Sequence, residues 1–188
     1  GTPTSIERMT RSDLVEYHER YFAPGNCMLA VVGDVLAGGA FAAAEKAFGG
    51  WAPRPVAEPL VIGPPTPTRR VVIVDVPDPA QTDVWVGQLG IRRDARDFMA
   101  TNLAVRILGG DGASRLQQAL TRRGLAYGAS ADLTAYRTTG DIAAKTVTRP
   151  ELTGAVLRVM IDEVLRLQRE QVGTRELDAA KASLAGSF

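Results

Sequence analysis

Gly109-Gly110-Asp111-Gly112-Ala113-Ser114-Arg115-Leu116-Gln117-Gln118-Ala119-Leu120-Thr121-Arg122-Arg123-Gly124-Leu125-Ala126-Tyr127 carries a helix stop, a helix start, a second stop and the beginning of a strand, in that order. The residues before it, 95–108, read as a helix that the glycines break. Ser114 is placed to cap a second helix running through Leu116, Ala119 and Leu120 to Arg123, and Gly124 ends it. Two strands are expected beyond, 126–135 and 140–147, flanking a turn-prone stretch at 136–139, with alternation clearest at Ile142, Ala144 and Thr146. Helices and strands thus alternate without the strand-helix-strand cadence of a doubly wound sheet. The expectation is an α+β fold, a mixed or antiparallel sheet with helices packed on one face.

Working outward toward the C-terminus, Pro150 opens a long helix at its first turn. Leu152, Val156, Val159, Met160, Val164 and Leu167 trace its apolar stripe, interrupted by Glu163, and Thr174 is expected to cap a last helix through Leu177, Ala180 and Leu184. Toward the N-terminus, residues 71–76 and 84–89 read as strands separated by the loop chemistry of Pro77-Asp78-Pro79-Ala80-Gln81. Six prolines fall between positions 53 and 67, a composition that forbids regular helix and marks a connector, with the linker proper at 61–67. Before it, Ser12 or Thr10 caps a helix that runs to about Tyr21 and stops at Pro24-Gly25-Asn26. The apolar run 28–32, ended by Gly33-Asp34, fits a buried strand, and a second helix continues through Phe41, Ala44 and Phe48 to Gly49-Gly50, where Trp51 packs.

The chain has 188 residues, an apolar fraction ample for a core, and a formal charge of +1 with acids and bases interspersed. That balance offers no electrostatic footprint for a phosphate backbone or an anionic membrane, so nucleic acid and membrane are not expected partners. No apolar stretch is long enough to cross a bilayer. Of 22 basic residues only Lys46, Lys145 and Lys181 are lysine, a usage that with the many Ala and Gly points to a GC-rich bacterial genome. The single Cys27 excludes an internal disulfide and leaves the compartment open between periplasm and cytoplasm. Starting at Gly1-Thr2-Pro3 and stopping in an apparent helix at Phe188, the sequence reads as a segment of a longer protein.

A metal site requires several convergent ligands, and here there is one histidine, His18, read as a helix-face or packing residue. Cys27, ahead of an apolar run, reads as a small buried hydrophobe, and a nucleophile there would need a basic partner. The glycines before Ser114 have neither the Gly-Lys-Ser/Thr ending nor the strand-first order of phosphate-binding loops, which leaves a helix-to-helix turn. Asp162 and Glu163 point to different helix faces and form no acid and base couple. The remaining constellation is Arg122, Arg123 and Tyr127. Guanidinium forks and a phenol suit a carboxylate or a peptide carbonyl; equally, the arginines can serve the helix C-terminal carbonyls and the tyrosine the strand.

Ser5-Ile6 with Met9-Thr10-Arg11-Ser12-Asp13-Leu14, then Tyr21-Phe22-Ala23-Pro24-Gly25-Asn26, Leu29-Ala30-Val31-Val32-Gly33-Asp34-Val35 and Phe48-Gly49-Gly50-Trp51, resemble the segment that follows the catalytic region of the insulinase/pitrilysin zinc metallopeptidases, the inverted zincins. Gly109-Gly110, Ser114-Arg115-Leu116 and Arg123-Gly124-Leu125-Ala126-Tyr127 resemble the hallmark of that family's second homologous half, one half of a mitochondrial processing peptidase-like two-domain repeat. The resemblance spans nearly the whole chain, and the ordered succession of motifs is its specific part.

The resemblance implies two related α+β halves enclosing a chamber, with zinc held by a His-x-x-Glu-His helix in the first half. No such helix occurs here. Residues 1–60 would end one half as helix-strand-helix, and 68–188 would begin the next without its final elements. No cofactor is then expected in this chain, and zinc belongs to the catalytic half or a partner subunit. The chain would not catalyse alone. It would form chamber wall and contribute substrate contacts to a zinc-dependent metalloendopeptidase, or serve as a structural or peptide-binding subunit of a heterodimeric one. Expected partners are a peptide substrate, the missing N-terminal catalytic half or a homologous catalytic subunit, and a second copy of the chain. The family's substrate-binding Tyr maps onto Tyr127. The accompanying Arg, seven positions earlier, is Leu120 here, for which Arg122 and Arg123 are the available substitutes.

Overall fold

The computed structural model describes residues 1–56, 58, 63–64 and 66–187, so the linker expected at 61–67 falls partly outside the described residues. The chain divides into two compact units, Gly1–Leu60 and Val61–Phe188.

The first unit contains α1 (Pro3–Glu7), α2 (Arg11–Tyr21) and α3 (Ala37–Phe48). Local chemistry explains their starts. Thr2 with Ser5, and Thr10 with Asp13, form capping boxes that satisfy amides a first turn leaves unpaired; the α2 cap is therefore Thr10. At the other end of α2, Arg54 Nη2 donates to the carbonyls of His18 (3.1 Å) and Phe22 (2.7 Å), and His18 stacks on Phe22 at 5.0 Å. The strand expected at 28–32 does not form. Met28 and Val32 are 95% and 96% exposed, and Cys27, expected to be buried, is exposed as well. An extended segment becomes a strand only when a neighbour accepts and donates along its edge, and no described residue of this unit does so.

In the second unit a three-stranded antiparallel sheet is built from β1 (Thr82–Leu89), β2 (Ala129–Ala135) and β3 (Gly140–Thr148), with β3 in the centre. β2 and β3 form a hairpin from Ala129↔Thr146 to Ala135↔Gly140, and β1 lies on the other side of β3 from Thr82↔Thr148 to Leu89↔Asp141. Alternation sets the inward face: Val84, Ala131, Ala144, Thr146 and Thr148 are buried, whereas Trp85, Asp132, Lys145 and Val147 are exposed. The other expected strand, 71–76, is absent, and Val71 and Ile73 are 83% and 85% exposed. It too has no paired edge among the described residues.

Helices α4 (Phe98–Gly109), α5 (Arg115–Thr121), α6 (Thr153–Arg169) and α7 (Thr174–Ala185) complete this unit. The core joins Val105 and Leu108 of α4, Leu116 and Leu120 of α5, and Val156, Val159 and Met160 of α6 to the inward face of the sheet. Gly109 lets α4 approach β2 so closely that a Cβ there would overlap the backbone of Ala131. Gly124, at φ +63°, closes α5: its N–H donates to the Thr121 carbonyl and that of Leu125 to the Leu120 carbonyl, both at 3.0 Å. Three expected details differ. Pro150 opens a single 3₁₀ turn ahead of α6, Gly173 rather than Thr174 stands at the α7 cap, and α7 closes at Ala185, before the chain ends.

Candidate functional site

Tyr127 sits two residues before β2 and is 99% exposed. The segment that carries it is nevertheless firmly held. Gln117 of α5 spans the turn, its Nε2 donating to the Tyr127 carbonyl (3.3 Å) and its Oε1 accepting from the Ala129 N–H (2.7 Å). From β3, the Thr146 hydroxyl donates to the Gly128 carbonyl and the Thr148 hydroxyl to that of Leu125 (2.6 Å). Both threonines are buried, so these bonds are partly shielded from water. A fixed backbone with a free phenol can present a hydrogen-bonding group without reorganising first.

Around Tyr127 the surface dips into two depressions of about 520 and 530 Å³, bordered by Lys145 and by Arg149 respectively. Lys145 Nζ pairs with Asp132 of β2 at 2.9 Å and lies 5.8 Å from the ring centroid of Trp85, its register partner on β1. Trp85, Lys145 and Val147 all belong to the outward sheet face, Trp85 being 65% exposed. Sequence reading left Gln117, Trp85 and Lys145 out. The signal for the last two was present: both alternate with inward residues, which sends them outward together.

Arg122 and Arg123 do not join Tyr127. They border a separate cleft formed by α4, α5, α6 and α7, together with Arg115 and Glu176, and Tyr127 is not among its walls. The reversal at Gly124 separates them, leaving the arginines with the helices and sending the tyrosine to the sheet. Arg122 Nη2 donates to Gln118 Oε1 one turn earlier, at 2.6 Å. Leu120 is wholly buried in the core.

Within the helical cleft, Arg115 Nε and Nη2 donate to the two oxygens of Glu176 at 2.6 and 2.8 Å. This bidentate bond holds the Glu176 carboxyl below the ordinary glutamate range, against a smaller opposing effect of burial. Ser114, at the cap position of α5, makes no capping hydrogen bond, contrary to expectation; its hydroxyl is buried and without a partner among the described residues. No group of three or more His, Cys, Asp or Glu side chains converges among the described residues, so they do not fit a zinc ion.

The model of the peptidase M16 inactive domain matches residues 8–184. Uncharacterized zinc proteases of Mycobacterium tuberculosis and Mycobacterium bovis are each 31% identical over 195 aligned positions, covering all of this chain and 44% of the relative. The chain thus spans less than half the length of the curated relatives it matches. Among solved structures, a peptidase M16 inactive domain from Pseudomonas fluorescens superimposes with a TM-score of 0.82 at 28% identity, over the whole chain and 46% of that structure. A protease from Helicobacter pylori shares the fold with a TM-score of 0.91 at 21% identity, again over the whole chain and 46% of its own.

Proposed function

This chain belongs to the peptidase M16 inactive-domain family, in the wider family of zinc proteases, and from that premise we propose that it forms chamber wall in a larger zinc metalloendopeptidase and touches the substrate through Tyr127. The observation that carries the reading is the contrast at that residue: the phenol is almost completely exposed, while its backbone is held by Gln117, Thr146 and Thr148. An exposed aromatic on a rigid mount beside an open sheet face suits recognition of an extended peptide, the phenol hydrogen-bonding to main-chain groups while Trp85 and Val147 offer apolar contact. Zinc and the hydrolytic step would belong to a catalytic half or partner subunit.

The uncovered apolar segments support the same reading. Residues 28–36 and 71–76 expose Met28, Val32, Leu36, Val71 and Ile73. Patches of that kind on a folded chain mark surfaces that another part of an assembly covers. Residues 1–60 would then end one homologous half and 68–188 begin the next.

A second reading has its own support. Leu120 is buried where the family's substrate-binding arginine would stand, and Arg122 and Arg123 border another cleft. A domain that lost half of its substrate clamp fits a structural subunit that holds a catalytic partner in shape. The two readings separate when the full-length protein is assayed for zinc content and for chelator-sensitive cleavage of an unstructured peptide. Zinc and cleavage by that protein alone select the first reading; inactivity cured only by a paralogue selects the second. In whichever preparation is active, Tyr127→Phe is expected to lower kcat/KM about tenfold, the worth of one hydrogen bond, mainly through KM. An unchanged KM removes Tyr127 from the substrate surface.

A further inference from the structure

The helical cleft that contains Arg115 has a volume of about 620 Å³, within the range of small-molecule sites. Its charge is lopsided. Arg106, Arg115, Arg122, Arg123, Arg166 and Arg175 border it, against only Asp111, Glu163 and Glu176. Those carboxylates are engaged already. Glu176 takes Arg115, Glu163 lies 3.4 Å from Arg166, and Asp111 Oδ1 accepts the Ala113 N–H at 2.9 Å. Arg106 is turned to the Ser183 hydroxyl at 2.9 Å. Among the described residues no carboxylate pairs with Arg122, Arg123 or Arg175, all three of which are exposed.

A second, independent observation lies deeper. Arg115 is 8% exposed, and although its Nε and Nη2 are satisfied by Glu176, its buried Nη1 finds no acceptor. Ser114 Oγ, also in the cleft wall, is buried and unpaired in the same way. Folded proteins rarely leave a guanidinium N–H and a hydroxyl without partners side by side. Both can donate to an oxygen-rich anion, as can the other arginines of the cleft.

We propose that this cleft binds a small polyanion of the phosphate class, with Arg122, Arg123 and Arg175 as its outer clamps and Arg115 and Ser114 as the buried part of the site. The planar fork of each guanidinium matches two oxygens of a phosphate, and several forks around one cavity favour a ligand with more than one anionic group. The arginines that sequence reading grouped with Tyr127 are thereby given a site of their own. This site is independent of the peptidase reading, because what it predicts is binding by this chain and not hydrolysis.

The test is calorimetric titration of the chain with inorganic tripolyphosphate, with inorganic orthophosphate in parallel. Replacing Arg115 would also break its pair with Glu176 and risk the fold, so the informative variant is the exposed double R123Q/R175Q, compared with R96Q/R137Q, which removes the same charge outside the cleft. Saturable one-site binding is expected, weakened about 100-fold by R123Q/R175Q and about two- to threefold by R96Q/R137Q, with orthophosphate at least about tenfold weaker than tripolyphosphate. Absence of saturable binding, or equal weakening by the two doubles, overturns the site. Equal affinity for the two anions overturns its preference for a polyanion.

Discussion

The two units of this chain use apolar residues in opposite ways. In Val61–Phe188, Leu116, Leu120, Val156 and Met160 are completely buried, and helices and sheet share one core. In Gly1–Leu60 the only buried hydrophobic residue among those described is Ala23, while Phe41, Leu36 and Met28 are 76%, 85% and 95% exposed. There α1 and α2 are held by capping boxes, α2 also by an arginine on the carbonyls at its end, and α3 has no side-chain cap. Apolar patterning alone does not make a core. It states a demand for burial, which the second unit meets internally and the first does not.

The sharpest way to break this comparison is a truncation in each unit. Leu120→Ala is expected to cost about 2–5 kcal/mol in urea unfolding followed by far-UV circular dichroism, because it empties a fully enclosed position. Phe41→Ala, in the first unit, is expected to change stability by less than about 0.5 kcal/mol, in the range of surface substitutions. Equal costs would mean that the first unit is packed in solution after all. Next in size is Gly109→Ala, where the new methyl meets the backbone of β2. Overpacking of that kind costs about 1–3 kcal/mol, and since α4 cannot back away without uncovering Val105 and Leu108, the upper part is expected.

How far the fold was legible follows from the same contrast. The antiparallel hairpin, the glycine break between α4 and α5, and the stripe of α6 are local patterns whose partners lie within the chain. Residues 28–32 and 71–76 carry strand patterns just as clear, yet form no strand, because composition encodes the wish to be buried and says nothing of who supplies the paired edge. The candidate residues were legible one by one, their grouping was not. The sequence grouped Tyr127 with Arg122 and Arg123 by proximity, whereas the left-handed turn at Gly124 sends the arginines to the helical cleft and the tyrosine to the sheet. The pairing of Arg115 with Glu176, 61 positions away, has no local signature at all.

That pair yields a pH prediction. Glu176 is held below its ordinary value by Arg115, so the folded state binds its proton less readily than the unfolded state does. Its stabilisation is complete at pH above the ordinary glutamate value and is lost as pH falls through the lowered one. Glu176→Gln should therefore cost about 1–2 kcal/mol at neutral pH, the low side for a paired charge because Glu176 is one-third exposed, and the deficit should vanish as the wild type is acidified through that window. Converging acid limbs in paired urea titrations are the expected outcome. A deficit that stays constant with pH would show that the carboxylate charge is not what matters.

The smallest effect belongs to the first unit, where local chemistry carries the structure. The Thr10 hydroxyl accepts the Asp13 N–H at 3.3 Å and donates to Asp13 Oδ2 at 2.7 Å, which also accepts the Thr10 N–H at 2.7 Å. Both bonds to the carboxylate hold the Asp13 pKa below its ordinary value. Thr10→Ala should leave the global unfolding midpoint unchanged, since no core residue is touched, while amide exchange in the first turn of α2 accelerates about three- to fivefold. Acidification through the Asp13 titration should have a similar local effect on the wild type, because protonation removes the charge that strengthens both bonds, and little on the variant. If instead Thr10→Ala moves the global midpoint, α2 is coupled to the core of the second unit, and the division between a self-sufficient unit and a locally capped one fails.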